Sequence, residues 1–268
     1  MTNDLTLTEL LQSRKYNPAT KPEAEQVIFT VQGKVVATLE NYCVISGLPK
    51  AGKSSFVSAI AASAFVPAFS DVFGMKLLLP KQRQKVAYFD TESSQYDFYR
   101  QIERIKHFAD KRTLPENFDG FSMREDMPGR IRKLIEQYLI ENLDCAVLIV
   151  DGLLDLCLNY NDETETRLLT NWFKRLTKQY NILLIGVLHL GKGQGETLGH
   201  LGSNTDRWAQ STLIVEKNKE TKQLVLKPKY LRSSDDFEPV AIMNFDGRWQ
   251  QVPYLQSEQI VVSKKTKK

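Results

Sequence analysis

Residues 47–54 read Gly47-Leu48-Pro49-Lys50-Ala51-Gly52-Lys53-Ser54, a G-x-x-x-x-G-K-S run. That spacing is what a phosphate-binding loop requires. A glycine at each end lets the backbone curl and approach an anion with no Cβ in the way. The curled N–H groups then point inward at a phosphate. Lys53 is placed to reach the β and γ oxygens of ATP, and the Ser54 hydroxyl to ligate Mg2+. Gly47, Leu48, Pro49, Lys50, Ala51, Gly52, Lys53, Ser54 and the following Ser55 form the candidate nucleotide-binding set. Tyr42 to Ser46 is apolar and β-rich, and the residues after Ser54 are Ala-rich with apolar residues at helical spacing. Strand, loop and helix in that order are the setting the motif needs. A Gly- and Lys-rich surface loop is the bland alternative.

Three more polar residues close apolar, strand-like runs. Asp151 ends Ala146 to Val150. At the C-terminal end of a central parallel strand a carboxylate can hold the Mg2+ water shell; the alternative is a turn aspartate before Gly152. The upstream loop favours the metal role. Glu92 follows the run Val86 to Asp90. There it could activate a water for in-line attack on the γ-phosphate, or it could be a charge at a helix N-terminus before Ser93 and Ser94. Residue physics alone does not choose. His189 ends Leu183 to Leu188; it could sense the γ-phosphate by hydrogen bond, although a lone histidine is more often structural.

Strands alternate with helices around these residues. Gln26–Val31 and Lys34–Leu39 read as a hairpin; Val86–Asp90, Phe118–Met123, Ala146–Val150 and Ile182–Leu188 as strands; Tyr96–Phe108, Arg130–Leu143 and Thr166–Tyr180 as helices. This alternation predicts an α/β fold with right-handed crossovers and a mainly parallel sheet flanked by helices. Beyond residue 210 the pattern changes to Ser211–Val215, Gln223–Lys227, Val240–Phe245 and Arg248–Val252, read as antiparallel hairpins added at the C-terminal edge. The expected organisation is an N-terminal extension over 1–25, one ATPase domain over 26–255 and a basic tail over 256–268 holding Lys264, Lys265, Lys267 and Lys268. The tail is read as a solubilising segment or as a phosphate-attracting arm.

The net charge of +4 permits nucleic-acid binding without arguing strongly for it. No apolar run approaches the length of a membrane span, and the first residues show no secretory pattern. Cys43, Cys145 and Cys157 have no metal-like spacing; Cys43 and Cys145 read as reduced core thiols, which suits the cytoplasm.

Phosphate loop, Glu92, Asp151 and His189 occur in an order that resembles the RecA-like ATPases, especially the RepA-type hexameric helicases and their KaiC-like relatives. The hairpin before the loop is similar too, and the resemblance covers roughly residues 26–246. It implies a RecA-like fold, with Glu92 as catalytic base and His189 as sensor. It also implies Tyr99 as an adenine-stacking ring, against the alternative of a helix residue packing on its neighbours. In that family a basic residue on a late strand completes the next subunit's site. Lys227, Lys229 and Arg232 stand there, and Arg232 is favoured because a guanidinium spreads charge over a transferring phosphoryl group; a solvated basic edge strand is the alternative.

The family also implies a homo-oligomeric ring, a hexamer, with single-stranded DNA on the loops after Asp151 and His189. The second loop offers Lys192 but no aromatic residue for stacking, and the first, Asn159 to Glu165, is acidic. Three functions therefore compete: a DNA motor, a nucleotide-switched regulatory or assembly module that binds protein, and a small-molecule kinase. The late hairpins and the lack of an acceptor lid disfavour the kinase.

Overall fold

In the computed structural model, which describes residues 6–21, 23–190 and 199–256, the chain forms six α-helices and twelve strands among those residues. In chain order they are α1 (Leu7–Ser13), β1 (Val27–Val31), β2 (Lys34–Thr38), β3 (Tyr42–Gly47), α2 (Lys53–Ala62), β4 (Met75–Leu77), β5 (Lys85–Asp90), α3 (Gln95–Phe108), β6 (Phe118–Ser122), α4 (Pro128–Glu141) and β7 (Cys145–Asp151). A 3-10 turn (Leu153–Leu156) precedes α5 (Glu163–Tyr180), β8 (Leu183–His189), α6 (Gly199–Trp208), β9 (Ser211–Lys217), β10 (Leu224–Leu231), β11 (Val240–Phe245) and β12 (Arg248–Val252). Lys192 and the four tail lysines lie outside the described residues.

The main sheet has nine strands in the order β12-β11-β10-β9-β3-β8-β7-β5-β6. From β9 to β6 all neighbours are parallel, and β10 to β12 add an antiparallel edge. This is the expected RecA-like architecture, with one correction. β9 was grouped with the antiparallel hairpins, yet it pairs parallel with β3 and antiparallel only with β10. The N-terminal hairpin β1–β2 forms as expected but joins β4 in a separate three-stranded sheet.

β3, β7 and β8 are buried along nearly their whole length, as strands covered on both faces should be. Their alternate side chains feed two cores. Cys43, Ile45, Tyr88, Ile149 and Ile185 lie in the core with Phe56 and Ile60 of α2 and Ile105 of α3. Val44, Phe89, Leu148 and Leu184 lie in the other, with Ile135 of α4 and Leu169 and Phe173 of α5.

Local chemistry sets the helix ends. Ser94 caps α3 by accepting from Asp97 N, and Asp162 caps α5 by accepting from Glu165 N. Pro128 opens α4 two residues before the expected start, a position where its missing N–H costs nothing. β4 and α6 were not anticipated. β4 has only three residues, and α6 reads GHLGSNTDRW, poor in strong helix formers. Tertiary contacts hold α6 instead: Leu201 is fully buried, and Asn204 Nδ2 donates to Thr166 Oγ1 at 3.0 Å. All three cysteines are free and buried, and among the described residues no helix is long and apolar enough to cross a membrane.

Candidate active site

The site is assembled at the C-terminal ends of β3, β8, β7 and β5. Ladder register brings Gly47 opposite His189, Val187 opposite Asp151, and Asp151 opposite Asp90. Between Gly47 and Lys53 the backbone curls as the motif requires. Ala51 N donates to Leu48 O at 3.1 Å, and Lys50 and Gly52 take positive φ values of 62° and 98°. Glycine is needed at both ends of the loop. A Cβ on Gly47 would fall 2.5 Å from Val215 O, and Gly52 combines its left-handed φ with close contact to Leu224. Among the described residues, no acceptor pairs with the N–H groups of Lys50, Gly52, Lys53 or Ser54. A curl of unpaired N–H groups at a helix N-terminus is an anion receptor.

Lys53 is only 7% exposed and turns its ammonium back over this curl. Nζ donates to Gly47 O at 3.0 Å and Leu48 O at 3.2 Å, and lies 3.0 Å from His189 Nδ1. Burial lowers its pKa, and the Asp151 and Glu92 charges act the other way. An ammonium has only donors, so Nδ1 accepts and the ring proton sits on Nε2. That N–H faces Glu92, with both carboxylate oxygens at 3.1 Å. The hydrogen bond from His189, aided by the Lys53 charge and opposed by burial, holds the Glu92 pKa below its usual range. Glu92 lies outside α3. It precedes the Ser94 cap, and Asp97 is the acidic residue in the first turn of α3. His189 is the bridge between loop lysine and glutamate rather than an isolated core histidine.

Asp90, one of the residues the sequence reading left out, fixes the Glu92 backbone. Its Oδ1 accepts from Glu92 N at 3.0 Å and Ser93 N at 2.7 Å. Thr91 locks the ends of β5 and β7 together: Thr91 N donates to Asp151 O at 2.7 Å, Gly152 N donates to Thr91 Oγ1 at 3.0 Å, and Thr91 Oγ1 donates to Asp155 Oδ2 at 2.7 Å. Gly152 is needed for space, because a Cβ there would overlap Glu92 Oε1.

Asp151 is a strand residue, 8% exposed, and not part of a turn. Its Oδ2 accepts from the Tyr88 hydroxyl at 2.8 Å. Burial above all, with the Asp90 and Glu92 charges, raises its pKa to about 7 against the Tyr88 hydrogen bond and Lys53, which lower it. Tyr88 is the other residue missed. A polar tip inside an otherwise apolar strand, two positions before Asp90, was its signal in the sequence. Ser54, the second residue of α2, is exposed, and its carbonyl accepts from Gln101 Nε2 at 3.2 Å. Ser54 and Asp151 offer hard oxygen donors. Two protein donors suit Mg2+, which keeps several waters and takes phosphate oxygens.

The remaining candidates lie elsewhere. Tyr99 is 56% exposed on α3, with its ring 6.3 Å from that of Tyr96. On β10, which lies between β9 and β11 rather than at the sheet edge, Lys227 pairs with Glu216 at 2.7 Å and Lys229 with Asp206 at 2.8 Å, while Arg232, just past its end, donates from Nη2 to Arg207 O. Arg232 is level with Tyr42, since its N–H meets Gln210 O and Gln210 N meets Tyr42 O. Tyr42 begins the strand that Gly47 ends, which puts Arg232 roughly 17 Å below the chain's own loop at 3.3 Å per residue. The acidity of the loop before α5 also has a local cause. Glu165 accepts from Leu158 N and Asn159 N at 2.7 and 2.9 Å, and Asp162 is the helix cap.

A family model described as an AAA domain (AAA_25) matches residues 34–195, more than half of the chain, and includes the loop, Glu92, Asp151 and His189. No curated protein matches the chain.

Two outcomes follow from this geometry. Gly152→Ala should keep the fold, because Gly152 has extended φ and ψ of −144° and 136°, and should push the Glu92 carboxylate off His189. ATP turnover should fall at least about tenfold with nucleotide affinity preserved; turnover equal to wild type would show that the Glu92 position is unimportant. The second concerns Asp151. Its folded pKa of about 7 lies above the ordinary value of 3.8, so between those values the folded state holds a proton that the unfolded chain has released. Stability from this group is complete at low pH and is lost as pH rises towards 7. Without nucleotide or divalent cation, Asp151→Asn should gain on the order of 3 kcal/mol on wild type between pH 4 and pH 8. Urea unfolding at both pH values measures it, and a constant difference would refute the buried-charge account.

Proposed function

We propose, from the premise that the chain belongs to the AAA-domain family whose model spans residues 34–195, that this P-loop ATPase domain is a RepA-type, KaiC-like motor working on single-stranded DNA. The observation that carries the reading is the unbroken line from Lys53 through His189 to Glu92. It ties the phosphate-binding lysine to a carboxylate held ionised. The ATPase domain is taken as 26–255, with 1–25 as an extension and 256–268 as a tail. The three buried thiols support a cytoplasmic setting.

In this reading the N–H groups of the loop and Lys53 Nζ hold the β- and γ-phosphates of ATP. Lys53 then leaves His189 Nδ1 for phosphate oxygen. Ser54 and Asp151 hold Mg2+, which when bound supplies positive charge to the phosphate oxygens. Glu92 takes the proton of the attacking water at a carboxylate oxygen, and His189 Nε2–H keeps that carboxylate oriented. Tyr99 stacks on adenine from the exposed face of α3. Arg232, or Lys229 after it, stabilises the γ-phosphoryl group of the neighbouring subunit in a ring, probed as a hexamer. Its position just past the end of β10 supports action in trans, because it stands a strand's length from its own loop.

A second reading, a nucleotide-switched assembly module that binds protein, is favoured by one observation: all three late basic residues already have partners within the chain.

Steady-state ATP hydrolysis, with and without single-stranded DNA at two salt concentrations, separates the two. A motor should be stimulated by DNA, and the stimulation should fade with salt; none at either salt supports the switch. Lys53→Ala should abolish turnover and weaken nucleotide binding, whereas Glu92→Gln should keep binding and lose roughly 10²–10⁴-fold in turnover. Normal turnover in either variant contradicts the assigned site. Arg232→Ala should lose turnover at unchanged nucleotide affinity. Mixing it with Lys53→Ala subunits should restore part of the activity, since a mixed interface pairs an intact loop with an intact arginine. If the subunits exchange and the mixture stays inactive, Arg232 is not the residue that acts in trans.

A further inference from the structure

A buried line of hydrogen bonds joins the first turn of α2 to the end of β7. Gln101 of α3 is 5% exposed, and its Nε2 donates to Ser54 O at 3.2 Å and to the Tyr88 hydroxyl at 2.8 Å. Tyr88 is fully buried, and its hydroxyl donates to Asp151 Oδ2 at 2.8 Å. The direction of every bond is fixed. The Gln101 amide nitrogen only donates and the Ser54 carbonyl only accepts, so the single Tyr88 proton is left for Asp151.

The two ends of this line are the two residues read above as Mg2+ ligands. They come from elements with separate freedoms. Ser54 follows a loop with two left-handed residues, Lys50 and Gly52, and the Asp151 carboxylate can rotate about its own side-chain bonds. The sheet fixes the Asp151 backbone but neither of these motions. From this geometry we infer that Tyr88 and Gln101 are positioning residues for Mg2+: a polar strut that sets the separation of the Ser54 and Asp151 ligands and aims the free oxygen of Asp151 at the cation. The inference rests on the reading of Ser54 and Asp151 as the metal ligands.

Outer partners of metal ligands are worth roughly 10–100-fold in metal affinity. Tyr88→Phe removes the hydroxyl and keeps the ring. Gln101→Met keeps the length of the side chain and removes its donor. The measurement is equilibrium binding of N-methylanthraniloyl-ADP, followed by fluorescence as Mg2+ is titrated, with circular dichroism melting on the same samples. Each variant should raise the half-saturating Mg2+ concentration about tenfold, while nucleotide affinity in excess chelator stays that of wild type. Gln101→Glu, which faces two acceptors with a third, should shift it at least as far.

A purely structural role would lower the melting temperature and leave the Mg2+ dependence alone, and that result overturns the inference. If Tyr88→Phe does not fold, Gln101→Met decides. Asp151→Asn separates the two levels of the argument. A shifted Mg2+ dependence in Asp151→Asn but not in the strut variants removes the strut and keeps the metal site. An unshifted Asp151→Asn removes both.

Discussion

Everything in the site depends on the register of four parallel strands. Gly47 and His189 come level, as do Asp151 and Asp90 two residues below them, because β3, β8, β7 and β5 pair in one particular alignment. Side chains alternate across a sheet, so a slip of one residue would exchange the two faces. Asp151 would then point into the core of α4 and α5, where Val150 belongs, and its partner Tyr88 would remain on the other side. The long apolar runs of β7 and β8 tolerate burial on either face. The polar residue that ends β7 is what makes a slip expensive, because both faces of these strands are covered and the displaced carboxylate would be buried among apolar side chains.

Among the carboxylates gathered in this small space, Glu92 and Asp151 are driven apart by their surroundings. Burial pushes Asp151 up to about 7, while the hydrogen bond from His189 keeps Glu92 below its usual range. Environments that split a carboxylate pair in this way assign them different work. Glu92 remains ionised and suited to accept a proton. Asp151 carries a charge that is costly without a cation beside it, and a bound cation reverses that cost. Lys53 is balanced in the same manner: burial disfavours its charge, and the two carboxylates favour it. The strut through Tyr88 and Gln101 and the Thr91 lock belong to this balance, since buried polar groups are tolerable only when their partners are in place.

The late basic residues follow a different logic. Lys227 and Lys229 on β10 and Arg232 just after it are each matched to an acceptor of the same chain, and Arg232 lies well below the loop. A cation that already has a partner can change partners only when a better acceptor arrives, which gives these residues a latent second role without leaving buried charge unpaired.

The sequence alone determined the phosphate loop, the alternation of strands and helices, and the polar residues that end the central strands. These are local signals: a glycine spacing that only one backbone curl satisfies, and apolar periods of two and of about four residues. It did not place β4 or α6, because three residues of strand and a Gly-, Ser- and Asn-rich helix form through contacts with distant residues such as Thr166. It put β9 with the hairpins because a single strand does not reveal the direction of its neighbour. Tertiary structure alone decided that His189 joins Lys53 to Glu92, that Tyr88 and Gln101 join Ser54 to Asp151, and that Arg232 stands away from its own loop. Each of those facts is a distance between residues far apart in the chain. Such distances are set by strand order and ladder register, which local residue patterns do not encode.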